Sequence, residues 1–346
     1  MAMVEKIKNK LRGNGFLLAV TIVLFFVLYI AGAILYGNRN FTSPQVFLNL
    51  FISNAGLIIA AVGMTFVLIT GGIDISIGSV IGVVCMMLAW MMEVKHMSAV
   101  VAIILVLAFG VIFGLVQGFL VAYLKIQPFI VTLGGMFFAR GMTTIVNTNP
   151  FNVQNEAFVA LKDTRVIVPG LGSVNKLGRY VDAYVEIGVV VALLVVILMF
   201  IMLRWTKLGR SFYAVGGNQQ SALMLGINVR RTKFLSHLIC SLLAGIGGFV
   251  YFLHVGSGSA SHAMGMEMNA IASSIIGGTM LTGGVGNIIG TLFGVLSLST
   301  IQNIVSSAGL DQAWWTGITI AAMLCLFLVI QSVVMARKKK AQSLNK

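Results

Sequence analysis

The chain has 346 residues, of which 58% are hydrophobic and only 9% are charged, and its mean hydropathy is +1.00. About a quarter of the residues of a soluble protein are charged, so this composition excludes a soluble enzyme, a coiled coil, a disordered chain and collagen. The net charge of +14 would suit nucleic acid, but the basic residues are sparse and form no recognisable binding module, so we expect no nucleic-acid partner. The composition indicates a protein surrounded by a lipid bilayer.

Apolar runs predict about ten membrane-spanning helices, since a helix crosses the ~30 Å hydrocarbon core in about 20 residues. We expect an all-α, polytopic membrane protein. Two pairs of runs, 46–92 and 267–306, are split only by Gly-Gly, which leaves one member of each pair open to being a broken or re-entrant helix and the count open by one or two. The predicted spans are residues 16–36, 46–70, 73–92, 98–122, 128–147, 184–204, 233–254, 267–282, 285–306 and 313–335.

The distribution of Lys and Arg predicts the orientation in the membrane. Three basic clusters lie at residues 6–12, 204–233 and 337–340. Lys and Arg accumulate in short cytoplasmic loops, and an even number of spans places all three clusters on that side. The longest polar connection, residues 148–183, carries mixed charges and falls outside by the same count. Both termini are therefore predicted to be cytoplasmic.

An internal repeat is the strongest pattern in the chain. Residues 70–83, TGGIDISIGSVIGV, align without gaps on residues 282–295, TGGVGNIIGTLFGV, with seven of fourteen positions identical. Gly-rich apolar sequence aligns easily with itself, but the surrounding hydropathy repeats as well, so we extend the copies to about 46–122 and 258–335. Duplicated halves with broken helices are typical of transporters whose substrate path follows the repeat interface.

Each copy of the repeat contains a Gly-Gly break, which we predict to be a hinge. Simple counting of spans makes the two copies parallel, whereas one re-entrant member would make them inverted, so the sequence leaves the symmetry open. Small residues four apart within each copy, such as Gly78 and Gly82, are typical of close helix packing in lipid. The predicted hinge residues are Gly71, Gly72, Gly283 and Gly284.

Ionisable residues are rare within the spans, where each costs about 2.5–3.5 kcal/mol at a helix centre. Asp74 opens the helix after the first break, and it fits two roles: capping the free N–H groups of that helix or contacting a polar substrate. Arg140 lies part-way along a span, where snorkelling, pairing with an acid or facing the path are all open. Glu267 fits either an external vestibule or plain solvation. The candidates to line the substrate path are Asn54, Thr65, Asp74, Thr279 and Asn303.

A short amphipathic helix is predicted in the basic segment, residues 205–232. Asn218 is placed to be its N-cap, residues 221–225 form its body, and Gly226 is its stop. Such a helix lies on the membrane surface, and the alternative is a solvated loop whose basic residues touch anionic headgroups. No histidine has a second ligand at metal-binding spacing, so no metal site is expected.

Four stretches carry a resemblance to a known family: AVGMTFVLITGGIDISIGSVIG (61–82), PFIVTLGGMFFARG (128–141), GRSFYAVGGNQQSALMLGINV (209–229) and AIASSIIGGTMLTGGVGNIIGTLFGVL (270–296). They resemble the permease subunits of bacterial ABC sugar importers of the ribose, xylose and galactose type. Within that family, the amino-acid sequences of these four stretches are most similar to those of a permease of galactofuranose importers. The resemblance implies that the short helix couples to an ATPase through Gly217, Asn218, Ser221, Ala222, Leu225 and Gly226.

The same resemblance implies the partners and the location. It predicts a single permease domain over residues 1–346, a second permease chain in a homodimer or heterodimer, a sugar path between protomers, a cytoplasmic ABC ATPase and a periplasmic sugar-binding protein, all at a bacterial inner membrane. The chain has no G-x-x-x-x-G-K-[ST] phosphate loop, so ATP and Mg²⁺ are expected to be used by the partner, with no enzyme activity or cofactor in this chain. The alternatives are a related permease for another solute, such as branched-chain amino acids, or an ion-coupled carrier.

Overall fold

The computed structural model describes residues 14–37, 41–174, 180–310 and 312–343. Helices dominate the described residues: α1 Asn14–Tyr36, α2 Pro44–Ile52, α3 Ala55–Ile69, α4 Ile77–Glu93, α5 Ala99–Ala122, α6 Pro128–Val146, α7 Glu156–Lys162, α8 Ile187–Trp205, α9 Lys207–Gly217, α10 Gln219–Met224, α11 Val229–Val255, α12 Met266–Ile276, α13 Ile288–Ser307 and α14 Ala313–Ser343. The basic cluster at residues 6–12 lies outside the described residues. The cluster at 337–340 continues the backbone of α14.

Within the described ranges, seven helices are long and apolar enough to cross a membrane: α1, α5, α6, α8, α11, α13 and α14. The pair α2 and α3, bent by 53°, provides an eighth. The two remaining runs that we predicted as spans form the shorter helices α4 and α12, of 17 and 11 residues. At 1.5 Å per residue α12 is only about 16 Å long, so it cannot cross alone. The count of ten spans is not confirmed, and both short helices adjoin the predicted breaks.

The bend between α2 and α3 is a break that the sequence analysis did not predict. Instead of the predicted unbroken run 46–70, the helix stops at Ile52 and resumes at Ala55. The Asn54 side chain donates from Nδ2 to the Leu50 carbonyl at 2.9 Å and to Ser299 Oγ at 2.8 Å. Side-chain amides that bond to nearby backbone compete with the helical ladder, and here the second bond also ties the bend to α13.

Two small antiparallel sheets correct the all-α expectation for the polar connection 148–183. Strand β2 (Arg165–Val174) pairs with β3 (Tyr180–Glu186), while β1 (Phe151–Asn152) pairs with β4 (Ser257–Gly258). Gln45 fixes the hairpin to α2, because its side chain donates to the Tyr184 carbonyl at 3.2 Å and accepts from the Tyr184 amide at 3.0 Å. Hydrogen bonds along a strand pair satisfy backbone groups that a loop would leave to water.

The hairpin and the basic segment lie at opposite ends of the bundle, because α8 joins β3 directly to α9. We call these ends the hairpin end and the basic end. Helix α3 runs between them through the centre of the molecule, and all of its residues are buried. It packs against α8, α11, α12 and α13, and one continuous apolar core includes residues from both copies of the repeat. Residues 205–232 and 148–183 are thus separated by a span, as the charge pattern predicts.

Both copies of the repeat consist of a helix, a Gly-Gly break and a second helix. The first copy contains α3 and α4, and the second contains α12 and α13. With the offset of 212 residues, α4 and α13 begin within one residue of equivalent positions. Both α3 and α12 run towards the basic end, where both breaks lie, so these segments form a parallel and not an inverted repeat.

Candidate functional site

The two breaks and the end of α9 meet at one point near the basic end. The amide of Gly284 donates to the Ile69 carbonyl at 2.8 Å, which joins the second break to the end of α3. Residues 216 and 217, which end α9, lie against the same atoms. We call this place the glycine junction, and its members are Gly71, Gly216, Gly217, Gly283 and Gly284.

Only glycine fits at the centre of the junction, because backbone lies directly against backbone. A Cβ on Gly283 would lie 2.9 Å from the Gly216 carbonyl oxygen and 3.1 Å from the Gly71 Cα. A Cβ on Gly216 would collide with the Ile69 carbonyl oxygen and lie 2.5 Å from the Gly284 nitrogen. Helix α9 therefore touches the second break and the end of α3, directly before the first break, with no side chain between them.

The four predicted hinge glycines differ in their backbone conformation. Gly71, Gly283 and Gly284 have φ angles of +79°, +83° and +74°, in the left-handed region that residues with a Cβ rarely adopt. Gly72 does not, and a Cβ there would lie 3.1 Å from a methyl group of Val67. Three of the four thus need glycine for conformation and the fourth needs it for packing. Their movement as hinges stays a prediction.

Side chains of α9 strengthen its contact with both breaks. The ring of Phe212 is fully buried and lies 5.4 Å from the ring of Phe66 in α3. The Tyr213 hydroxyl donates to the Gly286 carbonyl, in the second break, at 2.9 Å. Burial raises the pKa of Tyr213 to about 12, so its hydroxyl keeps the proton that this bond needs. Helix α9 is anchored at one break by an aromatic pair and at the other by a hydrogen bond.

The predicted short helix is present as α10. Asn218 is its N-cap, accepting from the Ser221 amide at 2.9 Å, and Gly226 follows its end with φ of +77°. Both local predictions are confirmed. Ala222 is buried with Val215 and Val229, which holds α10 against α9 and α11.

The outer side of α10 is apolar and exposed. Leu223, Met224 and Leu225 are 64%, 81% and 78% accessible. We call residues 223–225 the apolar tip. Exposed apolar side chains grouped beside polar ones are typical of protein contact sites. Leu223 and Leu225 therefore face away from this chain, whereas Ala222 packs inwards.

Two of the predicted path residues hold the two copies of the repeat together. Asn54 bonds to Ser299 of α13, as described above. Thr65 Oγ1 lies 2.7 Å from Thr291 Oγ1 of α13 and 3.3 Å from Ser274 Oγ of α12. Asn54 is 9% exposed and Thr65 is fully buried. These side chains can therefore reach a substrate only if the helices around α3 separate, and their role in the path stays a prediction.

The other three predicted path residues lie apart from that interface. Asp74 is 1% exposed, and its Oδ1 accepts from the Ser76 amide at 3.0 Å and from the Ser76 hydroxyl at 2.6 Å. Thr279 is buried within the second break, and its hydroxyl has no hydrogen-bond partner among the described residues. Asn303 is half-buried on the last turns of α13, towards the hairpin end. The five candidates therefore do not form one cluster.

Asp74 bonds to Ser76, which precedes α4, and not to the free N–H groups of that helix, so the geometry favours a local structural role that resembles the predicted capping. Substitution separates this role from substrate contact. We expect Asp74→Asn to unfold at the wild-type temperature and to retain uptake, since an amide oxygen still accepts from Ser76. Asp74→Ala leaves two buried donors without an acceptor, at about 1–3 kcal/mol each, and should unfold earlier. Thermal unfolding in detergent and uptake into vesicles measure these effects. Loss of uptake in an Asp74→Asn protein of unchanged stability would instead assign the carboxylate to the substrate.

Charged side chains packed against α4 correct our interpretation of Gly78 and Gly82. A Cβ on Gly82 would lie 2.8 Å from Arg140 Nη1, and a Cβ on Gly78 would collide with the Glu267 carboxylate. These glycines therefore admit two charged side chains besides the nearby backbone of residues 262–267. Arg140 also donates to the His262 carbonyl at 2.7 Å, so it fixes the loop that follows α11. The sequence held no signal for this, because the groups are far apart along the chain.

Among the described residues, no three His, Cys, Asp or Glu side chains come together as a metal ion would require. The most informative arrangement in the described residues is a series of contacts between helices. A short helix with an exposed apolar tip is connected through α9 and the glycine junction to both broken helices of a repeat.

Comparison with known proteins identifies the family. Residues 46–328 match the family model described as the permease component of the branched-chain amino acid transport system. The chain is 38% identical to the inner membrane ABC transporter permease protein YjfF of Escherichia coli K12, over 84% of this chain and 85% of that protein. It is 34% identical to the fructose import permease protein FruG of Bifidobacterium longum, over 91% and 90%, and 32% identical to the ribose import permease protein RbsC of Escherichia coli K12, over 84% and 87%.

No solved structure matches the chain. The apolar spans and the similarity to an inner membrane permease together indicate a multi-pass protein of the inner membrane. The family match covers both copies of the repeat, the glycine junction and α10. The chain therefore belongs to the family of ABC transporter permeases, and it is a transporter subunit and not an enzyme.

Proposed function

We propose that this chain is the membrane-spanning permease of an ATP-driven monosaccharide importer. Relatives named as import permeases for ribose, fructose and galactose support a sugar as the solute. The description of the family model keeps branched-chain amino acids as the second candidate. We propose galactofuranose as the transported sugar, because the sequences of the four stretches resemble those of a galactofuranose permease. The uptake experiment below tests this choice. The observation that carries the proposal is the connection of α10 to both breaks through the glycine junction.

The connection suggests how ATP hydrolysis would move the helices. A separate ABC ATPase binds the apolar tip and uses ATP and Mg²⁺, while this chain supplies no cofactor. Movement of α10 is passed to α9, because Ala222 and Asn218 hold the two helices together. Since α9 contacts the backbone at residues 69, 283 and 284, and residue 283 in turn contacts residue 71, displacement of α9 would shift both breaks at once. The two copies of the repeat would then repack around α3.

The remaining partners follow from the arrangement of the two ends. The basic end faces the cytoplasm, with both termini, because Lys and Arg concentrate there. A second permease chain, identical or related, completes the sugar path between protomers. A periplasmic sugar-binding protein delivers the sugar to residues 148–183 and 255–266 at the hairpin end.

Reconstitution tests the importer directly. The chain is placed in liposomes with its ATPase and its sugar-binding protein, and uptake of labelled galactofuranose, ribose, fructose and leucine is measured. We expect ATP-dependent uptake of a sugar that needs all three components. Uptake by this chain alone, driven by an ion gradient, would contradict the ABC mechanism, whereas ATP-driven uptake of leucine in place of sugars would favour the second candidate.

The apolar tip is tested by one charged substitution. Met224→Asp should weaken association with the ATPase about tenfold or more, because contact residues at the centre of an interface each contribute on the order of 1–2 kcal/mol. Folding should be unaffected, since Met224 is 81% exposed. Co-purification of the ATPase measures the effect. Leu171→Asp, a similar change at the hairpin end, is the control, and equal association of the ATPase with both variants would exclude the tip as its binding surface.

A further inference from the structure

A cleft of about 1020 Å³ opens at the basic end beside α10. Its walls are the turn between α5 and α6, the first turns of α11, and an exposed side of α10 together with its stop. We call it the basic cleft, because its charged lining residues are Lys125, Arg230 and Lys233 and its lining contains no carboxylate.

No described acidic residue neutralises the positive charge of the basic cleft. In the part of the chain that the structure describes, the ion pair within 4 Å joins His254 and Glu186 at the other end of the bundle. Lys233 contacts only a neutral partner, the Gln219 amide oxygen, at 3.0 Å. Lys125 is held at the tip of its turn with φ of +58°, a conformation that is uncommon for a residue with a Cβ. Three cations thus face one cleft with no anion beside them among the residues that the structure describes.

The cleft lies at the level of the lipid headgroups. Val121 and Ala122 end the span α5, Pro128 begins the span α6, and Val229 begins α11. Large apolar side chains next to the cleft are exposed, including Phe129 at 48% and Ile130 at 57%. Such side chains at the ends of spans face acyl chains, and phosphates of the cytoplasmic leaflet lie within reach of juxtamembrane Lys and Arg. The apolar and basic walls therefore match the two parts of a phospholipid.

We propose that the basic cleft binds the anionic headgroup of a phospholipid from the cytoplasmic leaflet, with Lys125, Arg230 and Lys233 around the phosphate. The acyl chains extend along Phe129 and Ile130 into the bilayer. The site does not depend on the transported solute. Because Gln219, Leu223 and Gly226 form part of its lining, an occupied cleft contacts the helix that we assign to ATPase coupling.

Lipid binding to the purified full chain tests the proposal. Phosphatidylglycerol is titrated into the chain in neutral detergent, with phosphatidylcholine as the reference, and bound lipid is measured by native mass spectrometry. We expect preferential binding of phosphatidylglycerol. In the triple variant Lys125→Gln, Arg230→Gln, Lys233→Gln its affinity should fall about a hundredfold, since each cation near an anionic surface contributes on the order of a five-fold factor.

A second cleft provides the matched control. Lys207, Arg210 and Arg231 line a separate cleft at the same end, so Lys207→Gln, Arg210→Gln, Arg231→Gln removes the same charge from the same segment. This variant should bind phosphatidylglycerol like the wild type, and thermal unfolding verifies that both variants are folded. Equal loss in the two variants, or no preference for phosphatidylglycerol in the wild type, would overturn the site.

Two further results would assign the cleft to another occupant. Competition by soluble glycerol phosphate as strong as that by the lipid would point to a free phosphate, and so contradict a lipid site. Undiminished lipid binding by the Lys125, Arg230, Lys233 variant, together with weaker association with the ATPase, would show that the three cations meet acidic groups of that partner instead.

Discussion

Replacing Gly216 by alanine should abolish ATP-driven uptake while the ATPase still binds and hydrolyses ATP. The new Cβ would occupy the position of the Ile69 carbonyl oxygen and approach the Gly284 nitrogen. Overpacking of this kind typically costs 1–3 kcal/mol, and here it is relieved most easily if α9 moves away from the breaks. We place the ATPase at the apolar tip of α10, which this substitution does not touch. Uptake and hydrolysis, measured in the same proteoliposomes, give the degree of uncoupling.

Two other substitutions separate lost contact from a general effect of a methyl group. An ideal Cβ on the adjacent Gly217 has no atom within 4 Å, and the same is true of the lipid-facing Gly141 in α6. Gly217→Ala and Gly141→Ala should therefore retain uptake. Wild-type uptake by Gly216→Ala would refute transmission through the glycine junction. Loss of thermal stability in Gly216→Ala alone, with hydrolysis also lost, would show that the contact is only structural.

Local chemistry explains which parts of the site could be predicted. Asn218 and Gly226 are recognisable because an N-cap and a left-handed stop depend on neighbouring residues only. The repeat was visible for the same reason, since each break carries its own Gly-Gly signal. Seven of the ten predicted spans followed from hydropathy, which needs no knowledge of contacts.

Long-range contacts explain what the sequence could not provide. Asn54 breaks its helix with the help of Ser299, which is 245 positions away. In the sequence, Gly216 is like any other glycine near the end of a helix. Its role is apparent only from its contacts with the backbone of Ile69 and Gly284. Glu267 is likewise uninformative without Gly78. In each case a small or polar residue owes its role to a partner far away along the chain, and no pattern within a single window contains that partner.

Substitution of Gly226, the exposed residue that ends α10, should reduce uptake as strongly as substitution of Gly216. Gly226→Arg should abolish ATP-driven uptake without preventing insertion into the membrane. A side chain at φ of +77° costs roughly 1–2 kcal/mol in L-residues, and the arginine would project beside the apolar tip, where we place the ATPase. No atom lies within 4 Å of the new Cβ, so no collision within this chain is expected. Association with the ATPase and uptake are the measurements.

The hairpin supplies a control with nearly the same geometry. Gly170 has φ of +81° and also has no atom within 4 Å of an ideal Cβ, but it lies at the opposite end from the proposed ATPase surface. Gly170→Arg should therefore bind the ATPase normally. Gly226→Asn isolates conformation from bulk, because Asn adopts the left-handed region more readily than other residues with a Cβ, and it should retain more uptake than Gly226→Arg. Normal ATPase association and normal uptake by Gly226→Arg would exclude the stop of α10 from coupling. Equal losses of uptake in Gly226→Asn and Gly226→Arg would assign the effect of the substitution to backbone conformation and not to the docking surface.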